Sequence, residues 1–180
     1  MYKFNPLLES STFDSQLDVI NPIRVNNNQK NDICFLLNQL KKDHIVYNKA
    51  LNLSVVNDNS KFSAENYNNI ILQNQRIEFQ RFFICSLNDK IVGLIHYVEY
   101  KEGLDEYKEK CGWFTNIIVH PKFRKMGIGS KLMELAKSWI KKNRPSIMIF
   151  LGVSCGNPGG MALYSKYGFK PVHQTMICKI

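Results

Sequence analysis

Between Thr115 and Lys142 the sequence passes from a β-rich run through Arg124-Lys125-Met126-Gly127-Ile128-Gly129 into an amphipathic stretch. That spacing suits an anion. Glycines at 127 and 129 let backbone N–H groups approach a ligand with no Cβ in the way. A helix starting there adds unsatisfied N–H groups and the positive end of its dipole. Arg124 and Lys125 contribute full charges, and the Ser130 hydroxyl can donate a further hydrogen bond. A diphosphate is the natural guest. Two better-known phosphate loops are excluded: the chain has no G-x-x-x-x-G-K-[ST], and no G-x-G-x-x-G followed by an acidic residue for a ribose. A G-x-G by itself is weak evidence, because loops use glycine for many reasons.

The longer run Ile118-Val119-His120-Pro121-Lys122-Phe123-Arg124-Lys125-Met126-Gly127-Ile128-Gly129 resembles the acetyl-CoA signature of the GNAT superfamily of N-acyltransferases, V-x-P-x-x-[RQ]-x-x-G-x-[GA]. A second block, Asn157-Pro158-Gly159-Gly160-Met161-Ala162-Leu163-Tyr164-Ser165-Lys166-Tyr167-Gly168-Phe169, resembles the family's N-x-x-A-x-x-L-Y-x-x-x-G-F segment. The motifs cover Gly112 to Phe169, and the order of elements extends the similarity to residue 20.

The resemblance implies a mixed α/β (α+β) fold with a central, mostly antiparallel sheet flanked by helices. It also implies an acetyl-CoA-dependent N-acetyltransferase acting on a primary amine. The strand before the loop would splay from its neighbour, and Ile117, Ile118 and Val119 would pair with the pantetheine arm. The amides of Lys125, Met126, Gly127, Ile128, Gly129 and Ser130, with the Arg124 side chain, would hold the pyrophosphate. Asn157 would hydrogen-bond the pantetheine arm, and Tyr164 would protonate the departing thiolate. That last role is chemically sound, since a phenol of pKa about 10 can donate a proton to a thiolate.

Departures from the family pattern concern the acceptor side. Relatives place a glutamate on the strand leading into the loop, where this chain has Thr115 and Asn116. Glu99, near the end of the preceding strand, is the nearest acidic candidate for a general base, against a plain reading as a solvated strand-end carboxylate. Gly160 stands where alanine is usual, and Pro158-Gly159-Gly160 predicts a helix starting near Gly160. His120 reads as structural, His96 and His173 as packing or surface residues, and Cys155 as a small residue after a buried strand. Tyr97, Tyr100, Trp113 and Phe114 read as core residues or as the lining of an acceptor pocket. The missing strand carboxylate motivates a second reading, a non-catalytic acyl-CoA-binding sensor or regulatory module; Tyr164 speaks against it.

The elements that position these residues follow from periodicity and turn chemistry. Ile20–Val25 is expected as a first strand, and Asn28 as the cap of a helix to Lys42 carrying Ile33, Leu36, Leu37 and Leu40 on one stripe. Ser63 is expected to cap a helix bearing Tyr67, Ile70, Ile71 and Asn74. Arg81–Leu87 and Ile91–Tyr100 predict strands joined by an Asn88-Asp89 turn, and Gly112–Val119 a strand ended by His120-Pro121. Ser130–Lys142 predicts an amphipathic helix, Ile147–Val153 a strand buried on both faces, Met161–Tyr167 a short helix stopped by Gly168, and Val172–Ile180 a last strand. Residues 20–180 are expected to form one N-acetyltransferase domain preceded by an arm of residues 1–19.

Composition sets the class. At 180 residues with 44% hydrophobic and 12% aromatic content, the chain can bury a core and is far from the signature of disorder. No apolar run approaches the ~20 residues of a membrane span. The start lacks the order of a signal peptide, which predicts a cytoplasmic location. Five scattered cysteines, none in C-x-x-C spacing, and four dispersed histidines predict neither a disulfide scaffold nor a metal. The net charge of +9 is spread along the chain, so nucleic acid is disfavoured as a partner. The expected partners are acetyl-CoA and an amine-bearing acceptor, with the chain a monomer or homodimer.

Overall fold

Alternation of buried side chains along two long strands organises the molecule. The computed structural model describes residues 15–50, 61–67, 71, 76–101, 110–145, 147–173 and 176. Strands β1 (Gln16–Ile20), β2 (Ile77–Leu87), β3 (Lys90–Tyr100), β4 (Cys111–Val119) and β5 (Met148–Leu151) form a sheet in the order β1-β2-β3-β4-β5. The first three pairings are antiparallel and the β4–β5 pairing is parallel. Helices α1 (Asn27–Ala50), α2 (Ile128–Asn143) and α3 (Pro158–Lys166) complete the described elements. This is the mixed α/β, mostly antiparallel architecture expected from the sequence.

Successive strand residues point to opposite faces, so the sheet carries two cores. On one face Phe83, Cys85, Ile95, Tyr97 and Phe114 pack against Leu132, Met133 and Ala136 of α2. On the other, Phe82, Ile84, Leu94 and Ile118 pack against Ile33, Leu36 and Leu37 of α1 and against Tyr67. Asn88 and Asp89 have φ of 47° and 59°, the double left-handed turn whose twist matches a hairpin. Residue 93 admits only glycine, because a Cβ there would lie 2.8 Å from Leu132 Cδ1 and 2.9 Å from Ile128 Cγ2. That close approach seats the start of α2 on β3.

Several boundaries differ from expectation. Gln16–Val19, expected in an arm, pair with Ser86–Phe83 as an edge strand, while Pro22–Arg24 form a 3-10 turn where a strand was expected. Pro22 lacks the N–H a ladder needs and sits naturally at a turn start. Asn26, not Asn28, caps α1: its Oδ1 accepts from Gln29 N at 2.9 Å while Gln29 Oε1 accepts from Asn26 N at 3.0 Å, a reciprocal capping box. The helix then runs past Lys42 to Ala50. β5 is half-buried rather than buried on both faces. Of the helix expected after Ser63, residues 68–70 and 72–75 lie outside the described residues, as does most of the strand expected over Val172–Ile180. Among the described residues no helix is long and apolar enough to cross a membrane.

Candidate active site

The β4–β5 ladder stops early. It joins Cys111–Phe114 to Met148–Leu151 and goes no further. At the same point β4 carries a bulge toward β3: Tyr97 faces Phe114 while His96 faces Asn116, so Thr115 is the extra residue. From Thr115 to Val119, β4 holds on to β3 alone, and its other edge faces a split in the sheet. Ile117 and Val119 lean toward the α2 core, and Ile118 is buried on the α1 side.

β4 leads into the glycine loop. His120 caps a 3-10 turn over Pro121–Phe123, its Nδ1 accepting from Lys122 N at 3.2 Å, and its ring stacks on Phe35 at 5.1 Å. Burial, with Lys122 and Arg124 nearby, lowers its pKa. Lys125 has φ 66° and Gly127, the N-cap of α2, has φ 77°. Left-handed residues within a turn point successive amides into one concavity, an anion nest. Among the described residues, no backbone or side-chain acceptor takes the amides of Lys125 through Ser130; the first bonded amide is Lys131 N, to Gly127 O at 3.0 Å. α2 starts inside the glycine pair, two residues before the expected Ser130, so the amides of Ile128, Gly129 and Ser130 form its first turn. Arg124 turns away from this nest. Its Nε donates to Val119 O at 3.1 Å, and its guanidinium pairs with Asp43 of α1. The residues fit a diphosphate through backbone and Lys125 rather than through Arg124.

Across the split stands α3. Its N-cap is Asn157, whose Oδ1 accepts from Gly160 N at 2.9 Å, so the helix starts at Pro158 and not near Gly160. Glycine at 160 has a local reason: a Cβ there would meet Asn157 Nδ2 at 2.6 Å. Tyr164 is 9% exposed and packs edge-on against Phe169, beside Phe114. Burial, and secondarily Tyr47 of α1, pushes its pKa up to about 12. Among the described residues no acceptor takes its hydroxyl. Gly156 brings the loop before α3 against α1, where a Cβ would come within 2.5 Å of Tyr47 O. The C-terminal half of α1, the loop before α3 and Tyr164 therefore converge beside the split.

The opposite side of β4 opens into a cleft of about 180 Å³ with apolar walls, including Leu37, Phe62, Ile71 and Val98. Its polar lining is His96, Thr115 and Asn116. His96, read from sequence as packing or surface, is 4% exposed and fully engaged. Nε2 lies 2.9 Å from Gln80 Oε1, a contact that puts the ring proton on Nε2 with Gln80 presenting its oxygen. Nδ1, with one lone pair, then accepts one hydrogen bond, from Thr115 Oγ1 at 3.2 Å or from Asn116 Nδ2 at 3.4 Å. Burial pushes the imidazole pKa down to about 3, which keeps it neutral. Alternation alone would have put Thr115 and Asn116 on opposite faces. Only the bulge brings both to His96, and no sequence signal marked it.

Glu99 requires a correction. It is not a solvated strand-end carboxylate but 3% exposed, accepting from Arg144 Nε and from the Tyr97 hydroxyl, each at 2.7 Å. It faces the α2 side with Tyr97, whereas the cleft lies on the α1 side. Because Gly93 pairs with Val119 and Glu99 with Gly112, it lies about 20 Å along β3 from the loop end. A carboxylate so occupied clamps the end of α2 to β3, on the sheet face opposite the cleft. Of the four aromatics considered for the acceptor pocket, Tyr100 lines the cleft, Tyr97 and Phe114 are α2-side core, and Trp113 stacks on Phe150 at 5.2 Å. Cys155 and His173 are exposed.

Comparison with known proteins agrees with this geometry. Residues 47–169 match the Acetyltransferase (GNAT) family. The chain is 28% identical over 96 residues to an N-alpha-acetyltransferase of Sulfurisphaera tokodaii, an alignment covering 51% of this chain and 57% of that protein. It is 31% identical over 101 residues to an uncharacterized N-acetyltransferase of Methanocaldococcus jannaschii, covering 49% of this chain and 38% of that protein. The chain thus spans about half the length of the curated relatives it matches. A Bacillus halodurans protein solved by X-ray crystallography shares the fold, with a TM-score of 0.68 at 15% identity, covering 92% of this chain and 99% of that one. With two thirds of its sequence matched and the loop, split and tyrosine in one sheet, the chain belongs to the GNAT acetyltransferase family.

Proposed function

We propose that this chain moves an acetyl group from acetyl-CoA directly to a primary amine, acting in the cytoplasm as a monomer or homodimer. The observation that carries this is the row of unpartnered amides from Lys125 to Ser130 at the start of α2, which suits a phosphate-bearing ligand such as a pyrophosphate. Acetyl-CoA, when bound, supplies an activated thioester carbonyl. The remaining work falls to the protein. The free edge of Ile117–Val119 offers backbone groups to an extended amide-bearing arm. Asn157 holds the start of α3, and with it Tyr164, beside the split. Burial keeps Tyr164 protonated throughout the physiological range, so the proton is present when the thiolate departs, while the same burial makes the phenol a weaker acid than a free one. Arg124, already neutralised by Asp43, ties the loop to α1 and leaves Lys125 as the mobile charge.

The apolar cleft on the α1 side, ending at Thr115 and Asn116, is the place for the acceptor. Transfer without a covalent enzyme intermediate fits the site, since no cysteine or serine lines the cleft among the described residues. The test is CoA release from acetyl-CoA over an amine panel, with Tyr164→Phe alongside. Turnover is expected, and the variant should lose about 100-fold in kcat with acetyl-CoA affinity kept, the usual contribution of a positioned acid. The engagement of Glu99 by Arg144 and Tyr97 favours one other reading, a sensor that binds acyl-CoA without turning it over. Tight acetyl-CoA binding with no turnover on any amine, and no effect of Tyr164→Phe, would establish that reading instead.

A further inference from the structure

The cleft on the α1 side changes character along its length. Its floor is β3, where His96, Val98 and Tyr100 are alternate residues and so share one sheet face. At the His96 end stand Thr115 and Asn116, which also begin the stretch of β4 whose other edge is free at the split. Beyond them the lining turns apolar, with Val98 below and Leu37, Phe62 and Ile71 around it. At the far end Ile77 of β2 pairs with Tyr100. A nitrogen placed at the split end therefore has hydrogen-bonding side chains beside it, and whatever it carries lies over hydrocarbon. Val98 is about 7 Å along β3 from His96, the reach of a primary nitrogen across a two- or three-carbon spacer to the middle of a ring.

Size and charge narrow the occupant. An apolar cavity of about 150 Å³ takes up benzene. At about 180 Å³ this cleft has room for one such ring and its spacer, and not for a long polyamine or a chain of sugars. Among the described residues no carboxylate lines it. Asp43 of α1 is taken by Arg124 and Gln39, and Glu99 is held by Arg144 on the other face of the sheet. The cation at its edge is Lys41, whose ammonium lies 4.7 Å over the Phe62 ring. A second ammonium entering here would lose its hydration, find no counter-charge and approach Lys41. An uncharged ring would instead meet aliphatic side chains and the rings of Phe62 and Tyr100, where offset and edge-on contacts add to its burial.

We infer that the acceptor is a small primary amine carrying one compact, uncharged apolar group on a short spacer, with an aromatic ring the best fit, and that the cleft rejects polyamines and other polycations. The inference rests on the acetyltransferase reading. Selection lies beyond the nitrogen: what the amine carries, rather than its own basicity, decides whether it is held at the split. In the transfer the nitrogen lone pair forms the C–N bond as the thioester C–S bond breaks. Tyr164 gives its proton to the thiolate, and the proton lost by nitrogen passes to water, which in turn restores the tyrosine.

The test uses the full chain, acetyl-CoA and two matched pairs of amines, with CoA release as the readout. Phenethylamine against ethylamine isolates the ring. Hexylamine against cadaverine isolates the far charge at nearly equal chain length. In each pair kcat/KM is expected to be about 30-fold higher for the first amine, from the burial of apolar surface in one case and the cost of an uncompensated charge in the other. Tyr100→Glu puts a carboxylate at the far end of the cleft and should bring the second pair to within about threefold, with acetyl-CoA affinity unchanged by calorimetry. Ile77→Glu, from the facing strand, should do the same. Equal use of the two amines within either pair by the wild-type chain would overturn the inference while leaving the acetyltransferase intact, as would turnover confined to peptide amines. Acetyl-CoA bound without turnover on any amine, or not bound at all, would remove the underlying reading as well.

Discussion

The glycine loop and the α1-side cleft meet at one split in the sheet but are made of different material. The loop is one contiguous run, Arg124–Ser130, exposed at Lys125, Met126 and Gly127 and presenting backbone N–H groups. The cleft gathers side chains from α1, the 61–71 segment, β2, β3 and β4, and its polar lining includes a histidine 4% exposed. Amides recognise a diphosphate whatever side chains surround them, so the loop speaks to the donor. Shape and burial define the cleft. On the proposed function, donor recognition is local in the chain and acceptor selection is distributed over it.

That contrast can be broken from either side. The largest effect is expected at Gly127→Val. A Cβ there meets nothing within 4 Å, so the difficulty is conformational: φ is 77°, a region closed to a β-branched residue. Shifting the loop should cost at least two charge-assisted hydrogen bonds to the pyrophosphate, on the order of 1,000-fold in acetyl-CoA affinity, with the fold kept. Calorimetry checks this, and undiminished affinity would end the phosphate-loop reading.

Glu99→Ala tests the other side of the contrast by asking whether the nearest carboxylate serves the chemistry or the fold. Removing one partner of a buried ion pair should destabilise the chain by about 3 kcal/mol in urea unfolding, with kcat per folded molecule unchanged. A loss of kcat with full stability would return Glu99 to the acceptor side. Tyr100→Ala enlarges the cleft alone. It should raise KM for the acceptor about tenfold and leave acetyl-CoA affinity as it was.

The most gradual effect is a pH slope. His96 has a folded pKa near 3 against an ordinary 6.5, so its neutral form is bound up in the native state. The unfolded chain binds the extra proton between those values. Stability from this group is therefore complete above pH 6.5 and falls as pH drops toward 3, by about 1.4 kcal/mol per unit within that window. His96→Gln should flatten the acid side of the urea-stability profile; an unchanged slope would show that the ring is not held as described.

Much of the fold was legible. Asn88-Asp89 between two β-branched runs specified the hairpin, and Leu132, Ala136 and Ile140 on one stripe specified α2, because local turn chemistry and periodicity act over a few residues. The nest and Tyr164 were legible for the same reason, lying in contiguous motifs. Gln16–Val19 were missed because an edge strand of mixed polarity gains its ladder only from a partner about 65 residues away. Arg144, the C-cap of α2, carried no sequence signal for its clamp on Glu99, because that contact depends on β3 lying beneath the end of α2.

By itself, then, the sequence determined the glycine loop and the start of α2: glycines, amides and a helix start are local, and their geometry follows from φ angles and hydrogen-bond counting. Tertiary structure alone decided what surrounds the cleft. The extra residue at Thr115 and the meeting of Gln80, Thr115 and Asn116 at His96 require strands 16 to 20 residues apart to be in register. Side-chain direction on a sheet reverses with every residue, so a single bulge settles which groups meet, and pairing energetics across the whole sheet, rather than local propensity, settles where the bulge falls.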